Sequence, residues 1–168
     1  MQTKRLTRMA MLTAIALTIF IIELQIPTLA PIPGVKLGLA NIITVYGIFV
    51  LGPVDTAYIL LARILLGSMF SGRVTALFYS LAGGLLCYLA MLLLHRLVTP
   101  RQIWICSIAG AAAHNTGQIA AAILVTGTPQ LVYYLPILMV SGILAGLFTG
   151  LCAQFIIDRW MPSSQQLR

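Results

Sequence analysis

Residues 111–122 read AAAHNTGQIAAA and lie inside a long apolar run. An apolar run of that length spans a membrane as a helix, because only a helix satisfies its own backbone in lipid. His114, Asn115 and Gln118 then fall about halfway along it, and His114 and Gln118, four apart, share a face. Ala109, Ala113, Gly117 and Ala121 form a stripe of small residues beside them, which lets a neighbouring helix approach closely. Polar side chains at bilayer depth are costly unless they meet a cavity or a partner. They therefore mark either a functional site or hydrogen bonds that tie helices together.

Outward from this stretch the composition agrees. Of 168 residues, 60% are hydrophobic and 8% charged, against about 25% charged in soluble domains, and the mean hydropathy is +1.02. The fold class expected is an all-α integral membrane protein, one domain over residues 1–160 with a short polar tail, MPSSQQLR, at 161–168. A net charge of +7 raises the question of nucleic acid. The cations sit at the ends of apolar runs instead of on one face, so they report topology and no nucleic-acid partner is expected. Cys87, Cys106 and Cys152 are odd in number and widely spaced, which gives neither a disulfide framework nor a zinc spacing. With His95 and His114 the only histidines, no metal site is expected.

Six spans are predicted. The first follows the basic start Lys4, Arg5 and Arg8 and runs to about residue 25; a signal peptide is disfavoured because no small-x-small cleavage site follows. Pro27, Pro31, Pro33 and Gly34 interrupt the chain, making a connector at the outer surface that can dip inward where it lines a cavity. Further spans are expected at about 36–51, 55–69, 74–94, 102–125 and 133–157, broken by Gly52–Pro53, by 71–73 and by 127–129. Lys4, Arg5, Arg8, Arg96, Arg101, Arg159 and Arg168 collect on one side, with Lys36 and Arg73 on the other. Seven against two places both termini in the cytoplasm. Trp104 and Trp160 would lie at the inner boundary, and Tyr133 and Tyr134 at the outer one. Gly142, Gly146 and Gly150 recur every four residues on the last span, a packing stripe.

This topology brings a polar set into the middle and outer half of the membrane. Glu23 and Gln25 end the first span, Lys36 and Asn41 open the second, Arg63 lies within the third, and His114, Asn115 and Gln118 lie in the fifth. A mid-span arginine costs roughly 2.5–3.5 kcal/mol. Arg63 therefore meets Glu23 or polar backbone, or it awaits an anionic or electron-rich ligand. Cationic and amide donors around an outward-opening pocket suit a small flat or partly anionic molecule. Tyr46, Phe49, Phe78 and Tyr79 are available as apolar walls. No GxxxxGK[ST] is present to cradle ATP, no carboxylate pair to hold Mg²⁺ on a diphosphate, and no nucleophile–base set. No catalytic residue and no cofactor is expected.

PGVKLGLAN at 33–41, AMLTA at 10–14 and HNTGQ at 114–118 together resemble the small membrane family called Gx transporter or heptaprenyl diphosphate synthase component I. That family is in turn similar to the substrate-binding S components of energy-coupling factor (ECF) transporters. The resemblance covers about residues 4–159. It implies a six-helix bundle in a bacterial cytoplasmic membrane that takes a vitamin-like, flavin-like or isoprenoid-related compound from outside; the polar set read above, Lys36, Asn41, Arg63, His114, Asn115 and Gln118, would then bind it, with Lys36 in a gating loop. Ala10 and Ala14 would dock a transmembrane coupling subunit, and separate ATPase subunits would supply energy. Prenyl diphosphate synthases carry aspartate-rich DDxxD motifs, which this chain lacks, so the synthase name fits an accessory subunit only. Relatives linked with flavin-based extracellular electron transfer imply a third role, as a membrane component of such a chain.

Overall fold

The computed structural model describes residues 2–25, 38–72, 74–99 and 102–160. Six α-helices follow one another: α1 (Gln2–Glu23), α2 (Asn41–Val50), α3 (Pro53–Ser71), α4 (Val74–Leu94), α5 (Ile103–Thr126) and α6 (Leu135–Trp160). A short 3₁₀ segment, Pro129–Tyr134, leads into α6. Five of the six are long and apolar enough to cross a membrane, which makes this a multi-pass membrane protein. The fifth helix is the centre. Half of its apolar window is buried, against 17% in α1 and α6, and α4 and α6 flank it with the most extensive packing in the bundle.

Helix boundaries follow local chemistry. The second helix begins at Asn41 and not near residue 36, because Gly38 has φ +81°, outside right-handed helical space. With ten residues, α2 is about 15 Å long, half the hydrocarbon thickness. The basic start is itself helical: Lys4, Arg5 and Arg8 belong to the first turns of α1. Pro53 opens α3, where its missing N–H is harmless, and Gly72, in the left-handed conformation, closes it. The last helix starts at Leu135, two residues later than expected, since Tyr133 and Tyr134 belong to the 3₁₀ segment.

Small residues set the closest crossings. A Cβ on Gly117 would come within 2.7 Å of the Ala82 carbonyl, so α4 and α5 touch backbone to backbone. Gly142, Gly146 and Gly150 lie directly against α5, at Asn115, at Ala111 and Ile108, and at Trp104 and Ser107. Ser107 and Thr149 share a buried 3.0 Å hydrogen bond across the same seam. On the other side of the bundle, Gly67 of α3 receives the ring of Phe20 from α1.

The Arg5 guanidinium holds the Asp55 carboxylate through two nitrogens, with Nε 2.8 Å from Oδ2. This pair fastens the start of α1 to the start of α3, so both helices begin at the same end of the bundle. Ile103 of α5 and Ile157 of α6 share an apolar cluster with Met91 and Ile48 at that end. The first residues of α1 and the last turns of α6 therefore lie on one side. The cationic stretch of α1 is thus anchored by one acid, Asp55.

Candidate functional site: a polar layer at half depth

Two apolar clusters sandwich a polar layer. Toward the Arg5–Asp55 end lie Val45, Ile48, Cys87, Met91, Cys106 and their neighbours. Toward the other end lie Tyr79, Ile119, Ala121, Ala122 and Leu138. Between them, α3 supplies Arg63, α5 supplies His114 and Gln118, and the start of α2 supplies Asn41. Their depths agree when measured from the Arg5–Asp55 end. At 1.5 Å per residue, Arg63 is about 15 Å beyond Pro53 and His114 about 17 Å beyond Ile103. Asn41 is about 14 Å from the far end of its own helix. Each distance is about half the thickness of a hydrocarbon core, which is about 30 Å.

Contacts join them. The Gln118 amide donates to Nε2 of His114 at 3.0 Å, the four-residue spacing turned into a bond. Gly38 wedges between the Asn41 amide and the His114 ring: a Cβ there would lie 2.8 Å from Nδ2 of Asn41 and 3.1 Å from Cδ2 of His114. Its positive φ and this crowding both exclude any larger residue. The Gly38 N–H donates to the buried carboxylate of Glu23, which closes α1. Across α4, Gly83 gives room to Gln118 and His114, and a Cβ on neighbouring Gly84 would lie 3.9 Å from Nη2 of Arg63. The Gly83–Gly84 pair is thus the septum between the arginine and the His–Gln pair.

Satisfaction within the layer is uneven. Asn41 is 2% exposed, yet among the described residues neither its Oδ1 nor its Nδ2 has a hydrogen-bond partner. Nor is it the N-cap of α2, a position that Ala40 holds without a side-chain bond. Arg63 is 5% exposed and its Nε has no hydrogen-bond partner among the described residues. Glu23 acts on Arg63 electrostatically, but no hydrogen bond joins the two.

Residues 12–156 match the family model described as heptaprenyl diphosphate synthase component I. The chain belongs to that family. No curated protein and no solved structure matches it. The match to the component I family takes in Asn41, Arg63, His114, Asn115 and Gln118 but begins after Ala10.

Within this family member the six proposed ligand residues separate into three groups. Asn41, Arg63, His114 and Gln118 share the layer. Asn115 turns away from it toward α6, where its Nδ2 donates to the Leu138 carbonyl and faces Gly142. Lys36 lies outside the described residues. Ala10 and Ala14 are exposed on α1, away from its buried face. The aromatic residues scatter: Tyr79 joins an apolar cluster, Phe49 meets His95 edge to face at 5.3 Å, and Phe78 is exposed. Sequence reasoning missed Gly38, Gly83 and Gly84. Adjacent glycines in an otherwise apolar helix were the available signal, since they weaken a helix unless something large packs against them.

Proposed function

We propose that this chain is the ligand-binding subunit of an ECF-type transporter, an S component in all but name. In this reading it crosses a bacterial cytoplasmic membrane six times with both termini inside, α2 and the residues before it making the second crossing. It captures a small vitamin-like, flavin-like or isoprenoid-related compound from the outer side. The supporting observation is the Asn41 carboxamide, buried with both polar atoms unmatched among the described residues; the Nε of Arg63, on the other side of the Gly83–Gly84 pair, is likewise unmatched among them. Unmatched polar groups in a dry interior are destabilising, and a bound guest with its own donors and acceptors would match them. Arg63 would meet an anionic or carbonyl edge, Asn41 an amide-like edge, and the His114–Gln118 pair would fix the ring's orientation. The chain itself would catalyse nothing; the exposed face with Ala10 and Ala14 would dock a transmembrane coupling subunit served by separate ATPases.

The test is co-purification in mild detergent followed by mass spectrometry of extracted small molecules. Wild type should carry one organic compound that N41L and R63A lose while still inserting in the membrane. Identical small-molecule content in all three proteins would sink the proposal. The family description favours a second reading, a non-catalytic accessory subunit of heptaprenyl diphosphate synthase. Stimulation of a soluble prenyl synthase by the reconstituted protein, equal for wild type and N41L, would favour it.

A further inference from the structure

Away from the polar layer, α1 packs on α3 and α2 and leaves α6. A groove of about 920 Å³ opens between α1, α2 and α6. Its α1 wall is one stripe: Lys4 and Arg8, then Met11, Ile15 and Ile19, spaced three or four apart as residues on one helical face are. Ile42 and Tyr46 of α2 and Ile156 of α6 complete the apolar trough. From Lys4 to Ile19 it runs about 22 Å. The charges divide by direction. Arg5 turns to the bundle and is neutralised by Asp55, whereas Lys4 and Arg8 have no acidic partner among the described residues and face the groove at one end. Two adjacent cations above an apolar trough complement an anionic head on a long chain. A guanidinium and an ammonium together match phosphate oxygens. A partner helix would need small wall residues for close approach along its length; beyond the first two turns of α1 the α1 wall is Met11, Leu12, Ile15 and Ile19, the small residues Thr3, Thr7 and Ala153 are scattered, and Ala10 and Ala14 lie outside the groove's lining.

We propose that this groove binds a single-chain amphiphile with a phosphate head, Lys4 and Arg8 holding the phosphate and the α1–α2–α6 trough its chain. The site is independent of the polar layer. Hexadecyl phosphate is the probe, added to the purified protein in neutral detergent and followed by native mass spectrometry, with hexadecanol and inorganic phosphate as comparisons. One equivalent of hexadecyl phosphate should bind at least about tenfold more tightly than hexadecanol, since the charge-assisted contacts belong to the head. Inorganic phosphate alone should not displace it, which separates the amphiphile from a free anion. The double variant K4Q/R8Q, which changes exposed positions and should keep its thermal midpoint, should lose that preference and leave hexadecanol binding unchanged. I15W should fill the trough and weaken both. N41L should leave hexadecyl phosphate binding intact. Equal affinity for the phosphate and the alcohol overturns the proposal, as does a preference that survives K4Q/R8Q, or a groove closed by a second copy in a stable dimer that excludes the probe.

Discussion

Replacing Asn41 by leucine should make the protein more stable and empty of ligand at once. The carboxamide is 2% exposed and neither polar atom is hydrogen-bonded among the described residues. A buried polar group left unsatisfied costs roughly 1–3 kcal/mol, and leucine has a similar branched shape without the polar atoms. In a chain of this size 1 kcal/mol moves the thermal midpoint by about 2–4 °C. A rise of several degrees is therefore expected for ligand-free N41L in detergent, read by the intrinsic fluorescence of Trp104 and Trp160 during heating. The paired control is N115L. Asn115 is as buried, but its amide donates to the Leu138 carbonyl and faces Gly142. Leucine there removes a bond and crowds α6, so the midpoint should fall by a similar amount. Opposite signs for two asparagines at one depth test the pairing, since polarity alone would give equal signs. If N41L melts lower than wild type, Asn41 is a structural group, and its part in ligand capture goes.

R63A should insert normally but lose the co-purifying small molecule, whereas R63K, which keeps the charge without the planar fork, should retain part of it; retention at wild-type level in R63A removes Arg63 from the site. G83A should lower the thermal midpoint by several degrees, because a Cβ there would lie 2.8 Å from Gln118 Cγ and 2.9 Å from the His114 carbonyl and overpacking costs about 1–3 kcal/mol; a neutral effect would mean α4 and α5 separate freely. R5Q and D55N should destabilise equally, and the double variant no more than either alone, since the two side chains satisfy each other; additive losses in the cycle would show that they act independently. T149V should cost about 0.6 kcal/mol, typical of a side-chain bond between helices in a bilayer, and a loss much larger than that would point to a role for Thr149 beyond its bond with Ser107.

Much of the architecture was legible in order and in place. The fourth helix begins and ends where composition says, at Val74 and Leu94, because apolar runs bounded by charge and glycine have few other ways to lie in a membrane. Less legible was α2. Its start follows Gly38, which has a positive φ and sits where a side chain would meet Asn41 and His114, residues near and far in the chain. The site divides in the same way. His114 and Gln118 share a face by helical spacing alone, and the structure makes a bond of it. That Asn115 leaves the layer, one residue along and about 100° around the helix, depends on which neighbour takes that face.

By itself, then, the sequence determined that the chain lives in a membrane, where its helices run, and that polar groups lie at half depth, since each follows from local hydropathy and helical period. Only the tertiary structure decided which of those groups meet. Arg63 stands behind the Gly83–Gly84 septum, Glu23 is bound to the Gly38 amide, and Asn41 has no hydrogen-bond partner among the described residues. Lys4 and Arg8 part from Arg5 only because α3 presents Asp55 to one face of α1. Such pairings join residues tens of positions apart, and no periodicity along a chain records which helix will stand beside which.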